Sequence, residues 1–357
     1  MPAAAGFDLI PSNGVYVNEG FALIPVFLFV IRRLRNGLDQ EVIELMFKTF
    51  RKDKGLPKAP LKGGGEVQVW WRLMRPHTLT ASFIPVLIGT SLALSEAGRI
   101  DLSLFIAMFT ACVLIQGATN VFNEYYDFKR GLDTKESVGI GGTIVRDGIH
   151  EKVVFYTGLI LLAIAVLLGL FISFKSSWLV ALVGLACILM GYLYSGGPFP
   201  ISATPYGEFL AGFFMGPVII SISFFIQTGM VQHKTILLSI PTGILIGAIL
   251  MSNNIRDLEG DKKHGRRTLA IVLGRDRAVK FLSGMFIFSY AWIVFLVMSM
   301  MVSPWLLIVF ASVPKAVEAI RGFRGKTLPV EMMPAMKSVA QTNTLFGLFL
   351  VVGILCS

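Results

Sequence analysis

Two short stretches of this chain put amide and carboxylate oxygens at helical spacing. Asn123 and Asp127 are four residues apart, as are Asn253 and Asp257, and Asp261 follows four further on. Residues at i and i+4 share one helix face, so each stretch presents a row of oxygens. Asp133 lies beyond Gly131, where a helix is expected to end. Such oxygens are hard ligands suited to Mg²⁺, which takes one or two carboxylates and completes its shell from phosphate oxygens. Two rows facing each other could hold metal ions against one diphosphate. Lys129, Arg130, Arg146, Arg256, Lys262 and Lys263 are near in sequence and would complete a cradle, Arg being suited to bidentate phosphate contacts. Gly139, Gly141 and Gly142 precede Arg146 and allow close backbone approach. A blander reading competes. A single Asp at a helix end is most often a solvated loop residue, and basic residues follow from membrane topology alone. The coincidence of two similar patterns, each with Asn beside Asp and cations in the same loop, favours the diphosphate–metal site.

The elements that must position these residues are membrane helices. The chain has 357 residues, of which 54% are hydrophobic and 15% charged, and its mean hydropathy is +0.71. Soluble domains carry about 25% charged residues, so a soluble fold is excluded. The expected fold class is all-α and polytopic. Nine apolar runs approach the ~20 residues a span needs: about 79–95, 102–122, 153–174, 178–194, 206–227, 236–251, 281–301, 303–318 and 342–356. Pro85, Pro217 and Pro241 fall in or at the ends of these runs, which membranes tolerate when neighbours satisfy the freed carbonyl. Of 32 Lys and Arg, 3 fall in the odd-numbered loops and 29 elsewhere. The positive-inside rule then puts the N-terminus and both Asn/Asp stretches in the cytoplasm and the C-terminus outside. The net charge of +10 is read as cytoplasmic loops facing anionic lipid rather than nucleic acid. Cys112, Cys187 and Cys356 are far apart in apolar runs, as small buried hydrophobes rather than a metal or disulfide set.

Residues 1–66 read differently. Phe21–Ile31 is too short to span. Val42, Ile43, Met46, Phe47 and Phe50 recur at helical spacing among charges, an amphipathic pattern suited to a membrane surface. Lys62-Gly63-Gly64-Gly65 reads as a flexible joint. This segment is expected to be a non-catalytic extension or a fusion, with the catalytic domain at 67–357.

At the Asn/Asp stretches the chain resembles the UbiA superfamily of intramembrane aromatic prenyltransferases, which has nine helices around a central cavity and motifs of the types NxxxDxxxxxD and DxxxD. Asn123, Asp127 and Asp133 match the first, and Asp257 and Asp261 the second. Within that superfamily it is most similar to the 1,4-dihydroxy-2-naphthoate polyprenyltransferase (MenA) branch. Trp71–Thr80, Asn120–Asp133 with Gly139–Gly148, Tyr194–Pro198 leading to Gly207-Glu208-Phe209, and Asn253–Gly274 carry that likeness. Glu124 stands where many relatives have Asp.

The resemblance implies a Mg²⁺-dependent enzyme of menaquinone biosynthesis in the bacterial inner membrane. It would join polyprenyl diphosphate to 1,4-dihydroxy-2-naphthoate, releasing CO₂ and diphosphate. Asn123, Asp127, Asp133, Asp257 and Asp261 would hold the metal and diphosphate, with Asn120, Asn253 and Asn254 in support. Arg146 and Lys263 would contact the diphosphate, with Arg130 and Lys262 behind them. Arg75 and Tyr194 would meet the acceptor or the diphosphate, although a snorkelling structural role fits Arg75 equally. His77, beside Pro76, reads as the start of a helix more readily than as a general base. Three other readings stay open: a different aromatic acceptor such as 4-hydroxybenzoate, a transporter, and a catalytically silent scaffold.

Overall fold

The computed structural model describes residues 66–133 and 142–357, without the side chains of residues 66–68, Pro76 and His77. The expectations for residues 1–65, for Gly139 and Gly141 and for the His77 side chain lie outside this part. Among the described residues there is no strand. A short helix α1 (Glu66–Leu73) leads into α2 (Pro76–Ala97) and α3 (Leu102–Lys129), then the short α4 (Thr143–Asp147). Next come α5 (Glu151–Lys175), α6 (Trp178–Ser195), α7 (Gly207–Thr228) and α8 (His233–Lys263). A short α9 (Leu269–Leu273) precedes α10 (Arg275–Met298), α11 (Val313–Phe323) and α12 (Pro329–Leu355).

Eight of these, α2, α3, α5, α6, α7, α8, α10 and α12, are long and apolar enough to cross a membrane. This makes the chain a multi-pass membrane protein. The ninth expected span, 303–318, is not a single α-helix. Pro304–Ser312 winds as a 3-10 helix and continues into α11. Lys315, Glu318 and Arg321 make α11 amphipathic, so its sequence lacks an unbroken apolar run. End to end the two pieces reach about 34 Å, enough for a bilayer core. The last span is longer than its apolar run suggests. Its first half carries Ser338, Thr342 and Asn343, which are buried inside the bundle and lower the hydropathy that a window sees.

The most buried of the eight is α8, and α6 is the least. The centre of the bundle is an apolar core shared by α2, α7, α8, α10, α11 and α12, with Ile84, Ile220, Leu245, Leu282 and Phe346 inside it. Around Gly212, Gly216 and Gly243, α7 and α8 cross with almost no side chain between them. A Cβ on Gly212 would lie 2.5 Å from the Gly243 carbonyl oxygen, and one on Gly216 would lie 2.4 Å from the Gly243 Cα. Small residues allow this approach, which drives helix association where water cannot. The same stretch of α7 widens to a π turn at Phe214–Val218 around Pro217, the usual response to a proline that cannot donate.

Candidate active site

Helices α3 and α8 run past their apolar segments, and the extra turns carry the Asn/Asp rows. The α3 helix ends at Lys129, and Gly131 turns the chain at φ 68°, so Asp133 lies beyond the helix as its spacing implies. The α8 helix continues to Lys263, which keeps Asn253, Asp257 and Asp261 on one face. Both rows open on one cavity of about 940 Å³. Its polar end is lined by Asn120, Asn123, Asp127 and Asp133 on one side and by Asn253, Asn254, Asp257 and Asp261 on the other. Arg75, Tyr194, Lys263 and Arg266 complete that end. The apolar remainder follows α3 as far as Met108. At 1.5 Å per residue this is about 28 Å below Asp127, close to the full hydrocarbon thickness. Ala165, Gly184 and Ile222 line it from α5, α6 and α7, and Cys112 and Cys187 lie on its wall.

Hydrogen bonds fix the polar end. Asn120 donates to the Met74 carbonyl at 2.8 Å and to Thr78 Oγ1 at 3.0 Å, which pins the start of α2 to α3. Asn123 donates to Ser195 Oγ at 3.1 Å, bringing in the end of α6. Asn254 donates to Glu208 Oε1 at 2.8 Å. Glu208 is buried at the start of α7, so the α7–α8 crossing holds this pair together. Asp257 is gripped by its neighbour Arg256, with Nε 2.7 Å from Oδ1 and Nη2 2.5 Å from Oδ2.

Arg266 binds both rows. Its Nη2 donates to Asp127 Oδ1 at 2.7 Å and its Nη1 to Asp261 Oδ1 at 3.1 Å. The candidate set read from the sequence did not include it. Gly265, at φ 73°, reverses the chain after α8, and the Arg266 amide returns to the Asp261 carbonyl at 3.0 Å. The Lys-His-Gly-Arg order was a legible signal for this, since Gly after a helix end commonly adopts the left-handed conformation.

Four of the expected cations lie off the cavity wall. Lys129 pairs with Glu151 at 2.7 Å. Arg130 donates to the Gly197 carbonyl at 2.9 Å and sits over the Tyr126 ring. Lys262 is exposed. Arg146 is exposed on α4 with its guanidinium against Gly142. Glu124 also points away from the cavity. It is 1% exposed and accepts from Gly142 N at 2.9 Å, Thr143 Oγ1 at 2.8 Å and Ile144 N at 3.2 Å. It thereby holds α4 against α3, with Arg75 Nη2 at 3.8 Å. Arg75 itself has left-handed backbone, φ 49° and ψ 65°, an unfavourable state for a side chain bearing a Cβ.

The donor set fits a divalent cation that is completed by phosphate. Among the described residues no three His, Cys, Asp or Glu side chains converge into a ready cage. Mg²⁺ with a diphosphate needs only one or two carboxylates. Asp133 Oδ2 is buried without a hydrogen-bond partner among the described residues, and burial pushes the Asp133 carboxyl up to about 6. The Glu124 and Asp127 charges add to that rise, while Arg75 and Arg146 oppose it. A carboxylate so placed gains from a cation beside it.

Comparison with known proteins agrees with this geometry. Residues 82–328 match the UbiA prenyltransferase family. A 1,4-dihydroxy-2-naphthoate octaprenyltransferase of Bacillus subtilis is 56% identical over 290 residues, covering 81% of this chain and 93% of that protein. UbiA prenyltransferase domain-containing protein 1 of Xenopus tropicalis is 30% identical, covering 79% of this chain and 80% of that one. Among solved structures, a UbiA homologue from Archaeoglobus fulgidus bound to GPP and Mg²⁺ superposes with a TM-score of 0.56 at 17% identity, over 81% of this chain and all of that chain. The apo UbiA homologue from Aeropyrum pernix gives 0.58 at 14% identity, over 78% of this chain and 98% of that one. Fold and site together are those of an intramembrane prenyltransferase. The chain belongs to the UbiA prenyltransferase family.

Proposed function

We propose that this enzyme transfers a polyprenyl chain from its diphosphate to 1,4-dihydroxy-2-naphthoate, giving the hydroquinone form of demethylmenaquinone, CO₂ and diphosphate. One observation carries the reading: a single cavity joins two Asn/Asp rows to an apolar shaft that follows α3 from Asp127 to Met108. A lipid tail with a diphosphate head has this shape and polarity. The high identity to the Bacillus subtilis enzyme supports the naphthoate acceptor, and a place in the bacterial inner membrane.

Mg²⁺ held by Asn123, Asp127, Asp133, Asp257 and Asp261 would neutralise the charge that grows on the departing diphosphate. The chain's own residues do the rest. Lys263 and Arg75 add fixed positive charge at the polar end. The apolar walls keep water from the allylic carbon as its C–O bond breaks and the electron pair leaves with diphosphate. The electron-rich ring then attacks that carbon. When the ring–carboxylate bond breaks, its electron pair returns to the ring, so the exchange balances without a base.

Purified enzyme offered labelled prenyl diphosphate with each aromatic acid tests the acceptor. Prenylation of 1,4-dihydroxy-2-naphthoate and not of 4-hydroxybenzoate is expected, and the reverse result would refute the assignment. D127N and D257N should each lower transfer at least ~10²-fold, the scale of losing transition-state charge stabilisation. Undiminished transfer in both would remove these residues from the site.

A further inference from the structure

Among the described residues, Arg266 is the one side chain that bonds to both rows at once. It sits between Asp127, on the end of α3, and Asp261, on the end of α8, and these aspartates are otherwise separated by 134 positions of chain. Its side chain is 16% exposed, and those of Asp127 and Asp261 are 15% and 9% exposed. Its fork uses Oδ1 of each carboxylate, so a cation bridging the rows shares their charge with it and either shares Oδ1 or takes Oδ2. The guanidinium stays charged at all working pH values. The loop that bears it is itself fixed, because the Arg267 amide donates to the Ala203 carbonyl at 2.9 Å. Arg266 therefore lies on a braced turn and reaches these two carboxylates on the cavity wall.

We infer that Arg266 is a positioning residue: it clamps the α3 and α8 carboxylates at a fixed spacing and shares them with the divalent cation, which must compete with it for Asp127 and Asp261. This rests on the reading of those carboxylates as metal–diphosphate ligands. Two carboxylates at the mouth of a low-dielectric cavity repel each other. A single guanidinium removes that repulsion and draws the two helix ends together. A cation that takes its place performs the same service. The clamp and the cation are thus alternative ways of holding one geometry, and each weakens the need for the other.

The competition is measured without turnover, by thermal unfolding of detergent-purified protein in EDTA and across a Mg²⁺ titration. R266Q is expected to unfold several degrees below the parent in EDTA. The gap should close as Mg²⁺ saturates, and the Mg²⁺ concentration giving half the shift should fall about tenfold, the ratio for losing one charge-assisted competitor. R266K keeps the charge without the fork and should recover part of the EDTA loss. A gap that stays constant while Mg²⁺ stabilises the parent would overturn the proposal, leaving Arg266 an ordinary structural residue. Mg²⁺ that stabilises neither protein would overturn the sharing and the metal reading together. The clamp is then judged separately in the D127N background: it survives if R266Q there costs much less than in the parent, and falls if the two effects simply add.

Discussion

Glu124 accepts a hydrogen bond from Thr143 Oγ1 at 2.8 Å, and through that contact α3 holds the loop that returns from the site. Glu124 follows Asn123 directly, so it is rotated about 100° from the Asn123–Asp127 face. That rotation turns it out of the cavity and toward α4, where it caps two backbone amides and a hydroxyl. It is buried, with Arg75 Nη2 3.8 Å away. Replacing it with Gln removes the charge and leaves one oxygen for three donors. E124Q should lose about 1–3 kcal/mol of stability, the cost of stranding buried donors. T143V removes a single bond and should cost about 1 kcal/mol. Thermal unfolding of both variants checks the order. An E124Q protein as stable as its parent would show that the charge is not needed to hold α4.

The α7–α8 crossing yields a second expectation. A side chain on Gly243 would meet the Gly212 carbonyl oxygen at 2.8 Å and the Pro217 ring at 2.9 Å, and both are held within packed helices. G243L must push the helices apart, and overpacking of this kind costs about 1–3 kcal/mol. The effect should reach the site, because the same pair of helices carries Glu208 and Asn254. G284A, on α10 where a Cβ meets nothing within 4 Å, is the control. Prenyl transfer and thermal stability should both fall in G243L and stay near parental values in G284A.

The opposite face of the bundle is tied by Asp101. Its Oδ1 accepts from Ser103 N at 2.8 Å, Ser103 Oγ at 2.6 Å and Leu104 N at 3.2 Å. Lys175 Nζ lies 3.1 Å from Oδ2, and Gln227 bonds to the Asp101 backbone. These contacts hold its carboxyl down at about 2, from an ordinary 3.8, with the Ser103 bond the largest cause. A depressed acid stabilises the fold fully above its unfolded value and loses that contribution as pH falls through its folded value. The parent should exceed D101A by about 1 kcal/mol at pH 7, the scale of a helix N-cap. The gap should narrow as pH drops from about 4 toward 2, as read by unfolding at each pH. A gap independent of pH would mean that the carboxylate charge contributes nothing there.

How much of this was legible follows from what determines each feature. The Asn/Asp rows were legible because a face of a helix is a matter of spacing, and α3 and α8 are regular through Asp127 and Asp261. The start of α12 was not, because Ser338, Thr342 and Asn343 are polar yet buried among other helices. Hydropathy counts composition, whereas burial depends on neighbours. Arg266 was passed over although the glycine after the helix end was a visible signal, because which carboxylates its side chain meets depends on how the two helices pack. Arg130 and Arg146 were expected at the diphosphate because they are close in sequence to Asp127 and Asp133. Proximity along the chain says nothing of direction: Arg130 is turned to the Gly197 carbonyl, whereas the Arg146 charge still acts on Asp133.

Membrane orientation gives the last expectation. A diphosphate is a multiply charged anion that does not cross a bilayer unaided, so the polar end of the cavity must face the compartment where it is made. The Lys and Arg bias predicts that this end faces the cytoplasm, and labelling tests it. Thr327 and Pro329 line the cavity beside the α8 row, so α12 starts at this face. Its other end packs against the start of the 3-10 segment, where a Cβ on Gly353 would lie 2.9 Å from the Trp305 carbonyl oxygen. The exposed Cys356 therefore lies on the far side, and the segment from Pro304 to Phe323 leads back toward the site face. A membrane-impermeant maleimide should label Cys356 in intact cells whose outer layers admit it. A cysteine placed at exposed Lys262, in a C356S background, should react only after the membrane is opened. Cys112 is buried and Cys187 half-buried, so neither competes strongly for the reagent. Labelling of K262C in intact cells would place the site outside and would contradict both the charge bias and the supply of the donor.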